Sequence, residues 1–183
     1  KNTVLATLEL HSNNIALNGA KAMAKMIGIN SSLTALTFSG QNLKRTEGTR
    51  PLADAIKLNS TMVYLNLANS QIGSEGAVLL IDALSSNKTL TSLNLTNNDV
   101  EDEGLLTLNK SLKSNRSLKS LVLAKNDFRR IGTTAIANAL LNCPIEELNI
   151  SNCTITLDGI KALSAVLKSN NSLKVLILNN CRI

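Results

Sequence analysis

Residues 90–100 read Leu90-Thr-Ser-Leu93-Asn-Leu95-Thr-Asn-Asn98-Asp-Val100, and this stretch decides the fold. Apolar and polar residues alternate over its centre, which is the period-2 pattern of a short strand with one buried face. The pattern L-x-x-L-x-L-x-x-(N/C)-x-(I/L) recurs with small variations and begins at Leu5, Leu33, Met62, Leu90, Leu118, Ile145 and Leu173. The steps between these starts are 27 to 29 residues, and a fixed period of this size predicts a solenoid of stacked repeats.

A second pattern lies between the strand segments. Each of the first six repeats carries a glycine followed by apolar residues four and eight positions later, as in Gly76, Leu80 and Leu84. This spacing places the side chains on one face of a helix, so we predict one helix in each repeat with that face toward the core. We expect each helix to end at an asparagine in the left-handed conformation that this residue tolerates. The asparagines are Asn30, Asn59, Asn87, Asn115, Asn142 and Asn170.

Together these motifs resemble the ribonuclease-inhibitor subtype of leucine-rich repeats, over essentially the whole chain from Val4 to Ile183. The resemblance implies an α/β fold, a right-handed leucine-rich-repeat solenoid or horseshoe with parallel strands on the concave face and helices on the convex face. It also implies a buried ladder after the strands, in which side-chain donors satisfy backbone carbonyls. The ladder positions are Asn13, Gln41, Ser70, Asn98, Asn126, Cys153 and Cys181. Because Gln41 and Ser70 depart from asparagine or cysteine, we expect irregular loops in repeats 2 and 3.

The repeats predict a single domain over residues 1–183, with about six and a half repeats. The chain begins inside a strand segment and stops where the seventh helix should start. A solenoid needs polar capping repeats, because a bare end exposes core leucines and an unpaired strand edge. We therefore expect an excerpt of a longer array, whose ends are covered by further repeats or neighbouring subunits.

Composition excludes several classes of function. No run of 18 apolar residues is present, so we expect no membrane span. The lone histidine, His11, lies beside Glu9 with no nucleophile at a defined companion position, and no Cys/His cluster has metal spacing. We therefore expect no enzyme, no cofactor and no metal. Three cysteines without a paired framework favour an intracellular, cytoplasmic location, with the cytoskeleton or the cilium as candidate settings.

Charge is the next informative feature. The net charge is +6, but the basic residues lack the interleaved aromatics of single-strand binders, so we do not expect nucleic acid as a partner. Basic side chains gather at helix ends and strand starts, with Glu146 the nearest opposing charge. We call the following set the basic rim: Lys88, Lys113, Arg116, Lys119 and Lys174. It either steers an acidic protein partner or only complements helix dipoles.

Two further charge and surface patterns bear on binding. Arg129 and Arg130 occupy the loop positions that Glu101 and Asp102 hold one repeat earlier, which predicts ion pairs between the repeats. The outward residues of the strands are small and mostly neutral, with Tyr64 as the only aromatic side chain. An apolar corner near the C-terminal end is the best candidate contact, although it could also pack against a following segment. It comprises Val122, Val175 and Ile177.

Two functions remain open on this basis. The first is a non-catalytic protein–protein interaction scaffold or adaptor within a larger intracellular assembly, cytoskeletal or axonemal in character. The second is a ligand-recognition or regulatory arm of a sensor or effector, as the resemblance to repeats of NOD-like receptors, GTPase regulators and bacterial effectors implies. The domains that flank the array would distinguish the two.

Overall fold

The computed structural model describes residues 2–182, in which strands and helices alternate along the chain. The strands are β1 (Thr7–Glu9), β2 (Ala35–Thr37), β3 (Tyr64–Asn66), β4 (Ser92–Asn94), β5 (Ser120–Val122), β6 (Glu147–Asn149) and β7 (Val175–Ile177). The α-helices are α1 (Leu17–Ile29), α2 (Thr46–Leu58), α3 (Gly73–Leu84), α4 (Leu108–Lys113), α5 (Arg130–Leu140) and α6 (Leu157–Leu167). A 3₁₀ turn at Asp102–Leu105 precedes α4.

The strands form one open parallel sheet in which the spatial order follows the order of the chain. Each central leucine pairs with the central leucine of the next strand, as in Leu65, Leu93 and Leu121, and these side chains are buried. The residues on either side of them form two outward rows on what we call the sheet face. The predicted strand phase and the α/β solenoid are therefore confirmed.

The helices pack against the opposite face of the sheet through the predicted apolar positions. Leu80 and Leu84 of α3 are at most 2% exposed, and Leu52, Ile136 and Leu163 are buried at the equivalent of Leu80. Four of the recurring glycines lie in close contact with the preceding repeat, namely Gly76, Gly104, Gly132 and Gly159. A Cβ atom at Gly132 would stand 2.7 Å from Cβ of Phe128 and 2.9 Å from Oδ1 of Asp102, distances that real contacts do not adopt. A side chain there would separate two repeats.

Repeat 4 departs from the prediction of one continuous helix. The 3₁₀ turn ends at Leu105, and α4 begins only at Leu108 and runs for 6 residues, whereas the other helices have 11 to 13. The break leaves Thr107 Oγ1 and Asn109 Oδ1 buried without a hydrogen-bond partner in residues 2–182. The helix of repeat 4 is therefore an irregularity that the sequence pattern does not predict. The loops of repeats 2 and 3 are irregular as expected, because Lys44 and Arg45 have φ of 48° and 56° and Gly73 has φ of 67°.

Across the described part of the chain, helices that are long and apolar enough to cross a bilayer do not occur.

Candidate interaction surfaces

The ladder after the strands contains four of the buried polar side chains, those of Gln41, Ser70, Asn98 and Asn126. Nδ2 of Asn98 donates to the carbonyl oxygen of Leu67 at 2.8 Å, and its Oδ1 accepts from the backbone N–H of Ser70 at 2.8 Å. Gln41 fills the same role with its longer amide, donating to the carbonyl oxygens of Leu10 at 2.6 Å and Ser39 at 2.8 Å. The ladder therefore continues through repeats 2 and 3.

The ends of this ladder differ from its middle. Asn13, which the pattern counts as the first ladder residue, is exposed. At the other end, Sγ of Cys153 contacts the carbonyl oxygen of Leu123 at 3.4 Å, and Sγ of Cys181 contacts that of Ile150 at 3.2 Å. Burial raises the pKa of the Cys153 thiol to about 11, so this thiol stays protonated and can donate. The two thiols thus act as ladder donors and are free of a disulfide.

The asparagines that follow the helices form a second ladder, and the predicted reason for their presence is wrong. Asn115 is 1% exposed, and its Nδ2 donates to the carbonyl oxygens of Leu84 at 2.7 Å and Asn87 at 3.0 Å. Its Oδ1 accepts from the backbone N–H groups of Ser117 and Leu118 at 3.0 and 2.8 Å. Oδ1 accepts the same pair of bonds in Asn30, Asn59, Asn87 and Asn170.

None of these asparagines adopts the left-handed conformation. Asn30 and Asn59 have φ of −85° and −70° with extended ψ, and the positive-φ residues do not include the others. Asparagine is needed for its amide, which joins one repeat to the turn of the repeat before it. Asn142 is the exception, because it is exposed and makes no side-chain hydrogen bond within residues 2–182, while Cys143 is buried next to it.

The basic rim is partly neutralised. Nζ of Lys174 lies 2.6 Å from Oε2 of Glu146, and Nζ of Lys119 lies 3.2 Å from Oε1 of the same carboxylate. The hydrogen bond from Lys174, followed by that from Lys119, holds the pKa of Glu146 below its usual value. These two lysines therefore carry less free charge toward a partner than the sequence pattern indicates.

The remaining rim residues divide into two kinds. Nη1 of Arg116 donates to the carbonyl oxygens of Lys113 at 2.9 Å and Asn142 at 3.3 Å, and Lys88 donates to Ser85 at 3.0 Å. These contacts are the helix-end role that the dipole interpretation predicts. Lys113 is exposed and has no side-chain contact to a carboxylate within residues 2–182.

The sheet face holds the other predicted contact residues. Tyr64 on β3 and Val122 on β5 are half-buried, whereas Val175 on the edge strand β7 is 45% exposed. Val175 and Ile177 lie on the same strand, but Val122 is separated from them by β6, which presents Glu147 and Asn149. Since neighbouring strands are about 4.8 Å apart, Val122 stands roughly 10 Å from Ile177. The predicted apolar corner is therefore two separate patches.

His11 has a companion that the sequence analysis missed. Nδ1 of His11 lies 3.0 Å from Oγ of Ser39 in the next repeat, a contact that the sequence analysis did not predict. Its Nε2 is 3.6 Å from Oε2 of Glu9, which is too long for a hydrogen bond that would orient the ring. An oriented base is what activates a serine. The contact is thus a link between repeats 1 and 2, recognisable in the sequence only from the 28-residue spacing of His11 and Ser39.

The charged loops of repeats 4 and 5 do not form the predicted ion pairs. Oδ1 of Asp102 accepts from the backbone N–H groups of Arg129 and Gly132, both at 2.7 Å. The Asp102 carboxylate, which belongs to repeat 4, therefore caps the first turn of α5 in repeat 5. The N-cap residue of α5, Arg129, makes no capping hydrogen bond with its own side chain. The ion pair of Arg129 is with Asp127 of its own repeat, at 4.0 Å, and Arg130 makes none within the described residues.

Two shallow grooves lie on the helix face around α5. The first has a volume of about 330 Å³, lies between α4 and α5, and includes Leu106, Asn109, Arg130 and Ile131 in its lining. The second, of about 510 Å³, lies between α5 and α6 and shares Arg130 and Ile131 with the first. The walls of these grooves carry exposed aliphatic side chains, since Leu106, Ile131 and Leu157 are 57%, 46% and 64% exposed.

Sequence and structure comparisons agree with this architecture. The family model described as "Leucine Rich repeat" matches residues 1–24, 58–80, 86–108 and 141–164, which is just over half of the chain. No curated protein matches the chain in sequence. Among solved structures, it is similar to "Leiomodin-1 Actin-Binding Site 2 (ABS2)", with a TM-score of 0.65 and 20% identity over 84% of this chain and 88% of that one. The tropomodulin C-terminal domain of Caenorhabditis elegans gives a TM-score of 0.65 and 19% identity over 82% of this chain and 92% of that one.

Proposed function

We propose that this chain, which belongs to the leucine-rich repeat family, is a non-catalytic scaffold or adaptor for protein–protein interaction within an intracellular assembly of cytoskeletal type. We also propose that its repeats are of the ribonuclease-inhibitor subtype, because their period is 27 to 29 residues.

The observation that carries this proposal is the extent of the sheet face. Its two outward rows cross seven strands in register, which at about 4.8 Å per strand makes a surface roughly 29 Å long. The buried polar groups of the ladders are already bonded to the backbone, and the described cysteines and Asp102 serve the fold. What remains for recognition is a long surface of small side chains, which suits a protein better than a small molecule.

The cytoskeletal part of the proposal rests on the two structural neighbours. One is titled as an actin-binding site of leiomodin-1, and the other is the C-terminal domain of tropomodulin. Actin is therefore the first partner to test. The half-buried Tyr64 and the apolar Val122 and Ile177 are the proposed contacts on the sheet face, because large side chains in a surface of small ones can act as anchors.

The basic rim contributes a steering role in this proposal. Lys113 contacts no carboxylate within residues 2–182, and Lys88 contacts backbone carbonyl oxygens and not a carboxylate among the same residues. A positive edge of this kind accelerates association with an acidic surface and loses its effect at high salt. Lys119 and Lys174 contribute less because they share Glu146.

Co-sedimentation with filamentous actin and the polymerisation rate of pyrene-labelled actin test the proposal. Val122→Glu with Ile177→Glu should weaken binding at least about tenfold, because charges would enter an apolar contact. Lys88→Glu with Lys113→Glu should slow association and remove its salt dependence. Lys21→Glu with Lys25→Glu makes the same charge change on α1 and serves as the control. The actin assignment is refuted if the wild-type chain affects neither assay, and the sheet-face assignment is refuted if all three variants behave alike.

A further inference from the structure

We propose that the two grooves around α5 form a docking site for an amphipathic helix that carries aliphatic side chains seven residues apart and a carboxylate between them. This surface lies on the helix face, opposite the rows of the sheet face. The inference goes beyond the proposed function, because it does not depend on actin or on the sheet face.

The apolar part of the argument comes from exposure. Leu106, Ile131 and Leu157 come from three successive repeats and stand 57%, 46% and 64% exposed in one neighbourhood. Most large aliphatic residues in the same repeats are buried, so three exposed ones around two connected grooves make a patch and not scattered single residues.

The interrupted helix of repeat 4 supplies the second observation. The chain gives up helical hydrogen bonds between the 3₁₀ turn and α4, and leaves Thr107 Oγ1 and Asn109 Oδ1 without partners among the described residues. Unpaired buried polar atoms destabilise a protein, and such local conflicts are concentrated at functional sites. Asn109, which carries one of these two atoms, belongs to the lining of the first groove.

Charge selects the kind of helix. Arg130 is the sole formally charged residue in the lining of the first groove, and it makes no ion pair within residues 2–182. The second groove is lined by Arg129 and Arg130 and also by Asp102 and Asp158, so its formal charges cancel. The carboxylate of the occupant therefore belongs over Arg130, on the side of the first groove.

Geometry sets the spacing. Packed helices are separated by about 8–10 Å, so the grooves on the two sides of α5 are about that far apart. Two turns of a helix, seven residues, advance about 10.5 Å. A helix lying across α5 can therefore place one aliphatic side chain in each groove, with an acidic residue three positions after the first one. The corresponding pattern is L-x-x-E-x-x-x-L.

The probe is a fluorescein-labelled 14-residue helical peptide containing this pattern in an alanine and glutamine background, titrated with the complete chain and followed by anisotropy. Replacing either peptide leucine by alanine should weaken binding about tenfold or more, because a buried leucine is lost. Replacing the glutamate by glutamine should weaken binding about two- to fivefold for the wild type, and not at all for Arg130→Gln. A peptide with the leucines five residues apart should bind no better than the alanine peptides.

Ile131→Ser should abolish binding, whereas Leu58→Ser, at an aliphatic residue 83% exposed on α2, should leave it unchanged. Both positions are exposed, so the fold should persist, and circular dichroism checks this. Amide shifts on titration should map to Leu106, Ile131 and Leu157. The proposal is overturned by equal binding of the two serine variants, by shifts on the sheet face, or by sedimentation showing that Ile131→Ser dissociates a dimer of this chain. Actin binding by a groove variant would leave the sheet-face assignment intact, so failure of one proposal is separable from failure of the other.

Discussion

Replacing Asn115 by alanine should destabilise the chain strongly, although the side chain is small and polar. Its amide makes four hydrogen bonds to backbone groups across the junction of repeats, to Leu84, Asn87, Ser117 and Leu118. A hydrogen bond contributes about 0.5–1.5 kcal/mol net, and a buried group left without a partner costs about 1–3 kcal/mol. With two carbonyl groups and two N–H groups losing their partner, we expect a loss of about 3–5 kcal/mol in the free energy of unfolding.

Asn142→Ala is the matched control, because Asn142 holds the same place in repeat 5 but is exposed and lacks side-chain bonds within the described residues. It should change the free energy of unfolding by less than about 0.5 kcal/mol. Urea unfolding followed by circular dichroism measures both values, together with the slope m. A lower m for Asn115→Ala would indicate that the array no longer unfolds as one unit, which weakening of one junction favours. Equal losses for the two variants would refute the role assigned to the amide.

Three further predictions concern the core, the rim and the loops. Leu93→Ala should lower the free energy of unfolding in urea by about 2–5 kcal/mol, because Leu93 is 1% exposed. Ser120→Ala should lower it by at most about 0.5 kcal/mol, and the reverse order would contradict the strand register. Glu146→Gln should lose the ion pair with Lys174. Because folding lowers the pKa of Glu146, the difference in free energy of unfolding between variant and wild type should be constant above about pH 5 and vanish as the pH falls through the lowered pKa. A difference that stays constant down to about pH 2 would rule this out. Lys125→Asn should raise the free energy of unfolding by about 0.5–1 kcal/mol, because Lys125 has φ of 56° and asparagine tolerates this left-handed conformation better than lysine does. An unchanged midpoint of urea unfolding would count against backbone strain at Lys125.

The sheet could be predicted from the sequence almost residue by residue. Strand phase depends on which residues are apolar, and seven copies of the pattern place Leu93 and Leu121 in the same phase. A single strand of three residues would not have sufficed, but a periodic array averages over local ambiguity. The helix faces followed for the same reason.

The parts that could not be predicted depend on contacts between repeats. The break before α4 arises in a segment that keeps the glycine and apolar spacing of a continuous helix, so periodicity carries no sign of it. The pattern located Asn115 correctly, yet its role depends on carbonyl groups 28 and 31 residues earlier. Likewise, Asp102 is a charged loop residue in sequence, and only the structure shows that it caps the helix of the next repeat.

The candidate surfaces also have features that the sequence predicts and features that depend on contacts between repeats. The exposure of Lys88 and Lys113 follows from their position near helix ends, which the sequence pattern gives. The ion pairs of Lys119 and Lys174 with Glu146 depend on distances between side chains, which only the structure gives. The sequence places Val122 and Ile177 in one outward row, with Asn149 between them. The intervening strand β6 separates them, and strand order decides this more than composition does.

The hydrogen bonds that the asparagine side chains make between repeats also determine how the array resists a pulling force. In a chain pulled from its two ends, the junctions between repeats bear the same force in series, and the one with the fewest cross-junction bonds yields first. Asn115 links repeat 4 to repeat 3 and Asn170 links repeat 6 to repeat 5, whereas the side chain of Asn142 makes no such bond from repeat 5 to repeat 4 among the described residues. Under tension the solenoid should therefore part first between repeats 4 and 5, into two blocks that each remain folded, so that this junction is the weakest point under load in whatever assembly holds the chain.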